Sequence, residues 1–391
     1  MLSVLSRARK SLGHLVTGLF AVVLAACVPA DGPATGPAQG SGGSVKVALL
    51  IPSGSGQAQD ELFGANLENA ARLAMRDLSG VAIDLRVYRT GGSPARASAL
   101  AKQAVDEGAQ VILGPFYSEE ANAAGVAVAN SGVNVLAFSN NAAIAGGNVF
   151  VLGQTFDNTA RRLASYAVRN GKSKILIVHD RNVAGEVGKA AIERGVAAAG
   201  GSVVGVTSYE FSQNGIVQAA SGIVGTARSS GATALFLTAD TAGALPLLSQ
   251  LLVDNGIDRA TTQLIGLTRW DIPPATLALP GVQGGWFALP DPGLQAQFQS
   301  RYQAAFGTAP VAVAGLAYDG IAAIGALARA SKGAPISREA LTQSAGFAGV
   351  SGVFRFLPNG TNQRGLAVAT IRNNQVVVID PAPRSFAGAG F

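Results

Sequence analysis

The chain has 391 residues, of which 48% are hydrophobic and only 13% charged, with a formal net charge of +6 and a single cysteine. That length allows two ordinary domains, and the hydrophobic content excludes global disorder. No apolar run reaches the ~18 residues of a membrane-spanning helix, which excludes a polytopic membrane protein, and one cysteine excludes an internal disulfide.

The basic excess sits at the start. Arg7, Arg9 and Lys10 precede an apolar stretch, residues 12–26, that is too short to span a bilayer and ends in small side chains, the pattern of an export signal over 1–26. Leu24-Ala25-Ala26-Cys27 resembles the bacterial lipobox, which implies that Cys27 carries lipid and becomes the first residue of the mature chain. Val28, rather than an aspartate, follows it; the expected place is therefore the periplasmic face of the outer membrane, with the inner membrane as the alternative. Losing 1–26 removes three basic and no acidic side chains and lowers the formal charge from +6 to +3. Without Lys/Arg blocks, nucleic acid is not an expected partner. Residues 27–44, the lipidated cysteine and a run of small, polar, Gly and Pro residues, read as a flexible tether that leaves the lipid as the only membrane contact.

From Val45 the pattern becomes alternating strand and helix. Strands are expected at 47–51, 81–87, 111–113 and 133–138, with helices between them at Leu67–Ala71–Met75–Leu78 spacing, at 94–107 and at 118–130. A second series opens with a helix carrying Ala160, Leu163, Ala164, Ala167 and Val168, then a strand at 175–178. It continues with a strand at 234–237, a helix carrying Ala244, Leu247, Leu248, Leu251 and Leu252, and a strand at 264–267. Strands that read as continuous apolar runs between helices imply parallel sheets covered on both faces. The fold class is therefore α/β, with two Rossmann-like lobes and a cleft between them.

Ligands of open α/β sheets sit at the carboxyl ends of the strands. Those ends supply Ser53, Ser118, Ser139, Asn141, Asp180, Asp240 and Trp270 as candidate ligand-binding residues for a small polar molecule. Tyr117 and Trp270 can equally pack within their lobes. Trp286, in an expected hinge strand, reads as core. Asp60 and Glu61 complement the N-terminal dipole of the first helix. Catalysis is not expected: a Ser-His-Asp arrangement would need His179, the only histidine outside the export signal, and Cys27 is committed to lipid. Gly54-Ser55-Gly56 lacks the third glycine of a dinucleotide loop, and one histidine without a free thiol does not make a zinc site, so neither a cofactor nor a metal is expected.

The ordered segments VKVALLIPSG, GAQVILGPFYS, VNVLAFSNN, KILIVHDRNVAGE, RYQAAFGTAPVAVAGLAYDG and GVSGVFRFLPNG resemble type I periplasmic binding proteins of the leucine/isoleucine/valine-binding family. The resemblance covers about Val45 to Asp380. It implies three crossings between lobes, near 154–158, 287–291 and 346–352. Lobe 1 would then comprise 45–155 plus 289–347, lobe 2 would comprise 156–288 plus 348–383, and 384–391 would form a tail. It also implies carboxylate contacts at Ser118 and in the Ser139–Asn141 loop, where Asn141 replaces a threonine. Two departures count against a free amino acid: Ala184 stands where the family has a tyrosine, and Arg269 and Trp270 stand where an acidic ammonium partner is expected.

The lipobox together with LRVYRTGGS, ILGPFYSEEANA, VNVLAFSNN and FVLGQTFDNTARRLASYAVRNG resembles the binding-protein-like domain of lipoproteins that activate penicillin-binding proteins. That likeness implies a non-catalytic activator or regulator of peptidoglycan synthesis, with a penicillin-binding protein as its partner. The alternative is the solute-binding component of an ABC importer for amino acids or a related small polar ligand, with the transporter permease as partner.

Overall fold

The computed structural model describes residues 44–331 and 336–386. The expected export signal, Cys27, all of the tether but Ser44, and residues 387–391 of the expected tail lie outside these. No helix among the described residues is long and apolar enough to cross a membrane.

The first series consists of β1 (Val45–Ile51), α1 (Ala58–Asp77), β2 (Ile83–Arg89), α2 (Pro94–Asp106), β3 (Val111–Leu113), α3 (Ser118–Ala127), β4 (Asn134–Ala137) and β5 (Val149–Val151). Its five strands form one parallel sheet in the order β2-β1-β3-β4-β5. Alternate side chains of each strand point to opposite faces. Val47, Leu49, Ile51, Leu113 and Leu136 therefore join one buried cluster with α1. Ala48, Leu50, Ile112, Val135 and Ala137 join another with α2 and α3. Both faces being covered is why the strands read as unbroken apolar runs. Ser93 starts α2 by accepting from the Arg96 amide, with Pro94 in the first turn.

The second series consists of α4 (Phe156–Arg169), β6 (Lys174–Asp180), α5 (Val183–Ala198), β7 (Ser202–Tyr209), α6 (Gln213–Ser229), β8 (Ala234–Leu237), α7 (Leu245–Asp254), β9 (Gln263–Gly266) and β10 (Trp286–Leu289). The chain then forms α8 (Pro292–Phe306), α9 (Ala314–Ser331), the short α10 (Arg338–Leu341), β11 (Phe347–Gly349), β12 (Gly352–Phe356), β13 (Asn362–Arg364), β14 (Ala367–Arg372) and β15 (Gln375–Asp380). The second sheet runs β15-β14-β10-β9-β8-β6-β7 and is parallel except where β14 and β15 join antiparallel. Asn373 and Asn374 link those two strands with φ of 50° and 61°, a left-handed conformation that asparagine tolerates better than most residues. Trp286 packs edge-on against Tyr166, with ring centroids 4.8 Å apart, inside this lobe.

Three crossings join the lobes. The first is fixed by a capping box in which Thr155 and Asn158 bond each other's backbone at the start of α4. The second follows β10, after which Phe298 and Tyr302 of α8 and most of α9 pack into the core of the first lobe. The third differs from expectation. Residues 348–356, expected in lobe 2, lie on lobe 1, because Phe347, Phe354 and Phe356 bury their rings in the first lobe's core and Phe356 stands 5.5 Å from Phe150. The return to lobe 2 comes at 364–366: Arg364 still bonds the Leu152 carbonyl of the first crossing, whereas Leu366 packs in the second lobe.

Candidate functional site

Strand ends of the first lobe, the three crossings and one loop of the second lobe enclose a cavity of about 470 Å³. Small-molecule sites typically occupy ~300–1,000 Å³. The loop after β3 forms part of its floor. Gly114 there has φ +92°, and a Cβ would lie 2.2 Å from the Leu50 carbonyl oxygen, so only glycine allows the turn that presents Phe116, Tyr117 and Ser118. Ser118 is the first residue of α3, whose first-turn amides have no intrahelical partner. After β4, Ser139 and Asn141 line the same cavity. The Ser139 hydroxyl accepts from the Asn141 backbone amide at 3.1 Å, and the Asn141 side-chain oxygen Oδ1 accepts from the Ala143 amide at 3.0 Å. The Ser139 proton and the Asn141 side-chain NH2 are thus left free to donate.

The second lobe contributes Arg269 and Ile272 from the loop after β9. Arg269 gives Nε, at 2.8 Å, and Nη2 to the carboxylate of Asp271. Its Nη1 has no protein partner among the described residues. At the back of the cavity Arg364 donates to Leu152 O and, at 3.0 Å, to Asp319, whose carboxylate lies outside the lining. Phe116, Phe138, Ile272, Val313, Leu316 and Leu366 supply apolar wall. No carboxylate is found among the described lining residues. Both lining cations are balanced from behind, so the arrangement offers hydroxyl, amide and guanidinium donors to one anionic group and, among the described lining residues, no charged partner to a cationic one.

Tyr117 is held as a neutral phenol. Its hydroxyl donates to Asp60, and that bond, with burial second, pushes its pKa up to about 12. Asp60 lies in the first turn of α1 as expected from the helix dipole, but it is buried and receives the phenol as well.

Of the seven candidates, Ser118, Ser139 and Asn141 come together in the cavity and four do not. Ser53 is buried under α1, its hydroxyl 2.0 Å from where a Cβ on Gly64 would stand. Asp180 accepts from Thr238 at 2.6 Å and from Asn182, bracing the ends of β6 and β8. Asp240 accepts from the Gly243 amide at 2.6 Å and shapes its own loop. Trp270 is fully buried between Gly266 and Gly285, at each of which a Cβ would fall 2.1 Å from its indole. It is core, and its neighbour Arg269 is the residue that reaches the cavity. Arg364, Gln295 and Ser351 carry no local signal in the sequence, because only the crossings bring them to the cleft. Gln154 does line the cavity and falls within an expected crossing.

The sheets, crossings and cleft agree with comparisons to known proteins. A branched-chain amino acid ABC transporter candidate from Rhodospirillum rubrum superposes with a TM-score of 0.72 at 19% identity, covering 86% of this chain and 100% of the other. A branched-chain amino acid ABC transporter periplasmic ligand-binding protein from Burkholderia xenovorans gives 0.66 at 18% identity, covering 88% and 97%. A solute-binding protein of an ABC transporter from Rhodopseudomonas palustris, in complex with benzoate, gives 0.56 at 20% identity, covering 89% and 99%. No curated protein matches the chain. The family model described as "Periplasmic binding protein" matches residues 44–375, the whole of both lobes up to the first residue of β15. With that match and its type I architecture of two interleaved α/β lobes, the chain belongs to the periplasmic binding protein family.

Proposed function

We propose that this chain is a non-catalytic solute receptor of the cell envelope, exported and held by lipid on Cys27. Its cleft takes a small organic acid with an apolar body and no α-ammonium group, and an ABC importer is its partner. One observation carries this reading: the described lining of the cavity holds serine hydroxyls, two guanidiniums and an apolar wall, and no carboxylate. Ser118 and Ser139 would receive the carboxylate on lobe 1, and hinge closure would bring Arg269 of lobe 2 onto it. The benzoate held by the Rhodopseudomonas palustris neighbour is a ligand of this chemistry. Thermal unfolding with benzoate, 4-hydroxybenzoate and the branched-chain amino acids at equal concentration tests it. Organic acids are expected to raise Tm, since a ligand at about 100 times its Kd stabilises by ~2.7 kcal/mol. A rise with leucine alone would overturn it.

A second reading, activation of a penicillin-binding protein, is favoured by exposed apolar side chains on lobe 2. Val183, where α5 begins, is 83% exposed and Phe211, after β7, is 56% exposed. Both follow strand ends of lobe 2, Val183 directly before Ala184 in the sequence, and exposed apolar side chains of this kind suit protein contact. Retention of a synthase on the immobilised protein, with faster glycan polymerisation on its addition, supports this reading; neither effect appearing would end it.

A further inference from the structure

Glu120 occupies the first turn of α3, two residues after Ser118, and is fully buried at 0% relative exposure. Neither carboxyl oxygen makes a hydrogen bond. The Thr90 hydroxyl and the Tyr117 backbone amide lie near it and favour its ionised form, but burial outweighs them. Thr90, the neighbouring hydroxyl, is engaged with Ile51 O at 2.9 Å. Tyr117 gives its proton to Asp60 of α1. Asp60 and, on the same helix, Glu119 add negative charge. Arg96 of α2, the cation of this corner, donates to the carbonyls of Gly54 and Arg89. Burial first, and the two acids after it, hold Glu120 above the usual carboxylate range.

A protonated Glu120 resolves these conflicts: it loses no charge solvation and has the lone pairs of Thr90 within reach. The consequence falls on the cleft. A helix N-terminus favours an anion through its amides and dipole, and a negative charge in its first turn cancels that preference. From this geometry we infer that Glu120 sets the anion affinity of the cleft, its neutral form admitting a carboxylate at Ser118 and its ionised form repelling it. The inference rests on the reading of the cleft as an organic-acid site. Ligand is then held tightly at low pH and released as pH rises.

Calorimetric titration of the full chain with benzoate between pH 5.5 and 9, at fixed ionic strength, tests it in the native protein and in Glu120→Gln. Benzoate is ionised throughout, so the ligand's own titration does not contribute. The native Kd is expected to rise about tenfold as Glu120 ionises with rising pH, the scale of a unit charge ~10 Å away at an effective dielectric near 20. Glu120→Gln is expected to stay flat near the native low-pH value. Asp60→Asn removes a neighbouring negative charge that disfavours ionised Glu120, and is expected to shift the native transition toward lower pH. Parallel profiles in the native protein and Glu120→Gln would overturn the role of Glu120 alone. Absence of benzoate binding at every pH would overturn the organic-acid reading and this inference with it.

Discussion

Arg364 Nη1 lies 3.0 Å from Asp319 Oδ2 in an ion pair whose side chains are 4% and 0% exposed. The same guanidinium donates from Nε to Leu152 O at 3.0 Å, and Asp319 accepts from the Val350 amide at 2.8 Å. One buried pair thus ties the first crossing, the third crossing and α9 together at the back of the ligand cavity. Breaking a buried pair on one side leaves an uncompensated charge, at a cost of about 3–5 kcal/mol. Asp319→Asn and Arg364→Leu are each expected to lose stability on that scale in urea unfolding. The double variant Asp319→Leu/Arg364→Leu should lose clearly less than the sum of the two.

Arg269 carries the second lobe's contact with an anion in the proposed cleft. Arg269→Gln is expected to weaken benzoate binding by about 1.5–3 kcal/mol, the contribution of a hydrogen bond to a charged group. Asp271→Asn frees the guanidinium from its clamp and should weaken binding less than Arg269→Gln. Calorimetry on both variants separates the charge from its orientation.

Trp270 is held by two glycines in the core of lobe 2 and makes no part of the cavity lining. Trp270→Ala is expected to cost about 3–5 kcal/mol of stability. Gly285→Ala would set a Cβ 2.1 Å from the indole ring and should also destabilise. At temperatures where Trp270→Phe is fully folded, its ligand affinity should match that of the native protein, a result that a cleft-lining tryptophan would not give.

Tyr117→Phe removes the donor to Asp60 and leaves a buried carboxylate short of a partner. A loss of about 1–3 kcal/mol is expected. Because the folded pKa of Tyr117 is raised to about 12 from 10.0, its contribution is complete below pH 10 and disappears as pH rises through about 12. Chemical denaturation at pH 6 and pH 8 should therefore give the same difference between the native protein and the variant, apart from the titration of other groups.

Much of the framework is legible in the sequence because strand and helix patterning is local. The strands at 111–113 and 234–237 match residue for residue, since short buried runs of Val, Ile and Leu bounded by turns leave little choice of ends. Strand β7 and the antiparallel pair β14–β15 carry no equivalent signal: β7 is an edge strand that is exposed or half-buried except at Tyr209, and the pairing of β14 with β10 depends on residues about 80 positions apart in sequence. The third crossing is misplaced for a similar reason, since Phe354 and Phe356 alternate with half-buried residues, a pattern that suits either lobe equally well. Only their ring contacts with Phe347 and Phe150 place them on the first. The cleft is legible where it is built from strand ends, at Ser118, Ser139 and Asn141. It is illegible where the crossings deliver side chains, as with Arg364 and Ser351, or where adjacent residues divide their roles, as with Arg269 and Trp270.

The central claim is that the cleft takes an organic acid and rejects a zwitterion. Parallel calorimetric titrations of the full chain with benzoate and with leucine at pH 6 test it most directly. Saturable 1:1 binding of benzoate, with no heat of binding from leucine, is the predicted result; saturable binding of leucine with none of benzoate would contradict it.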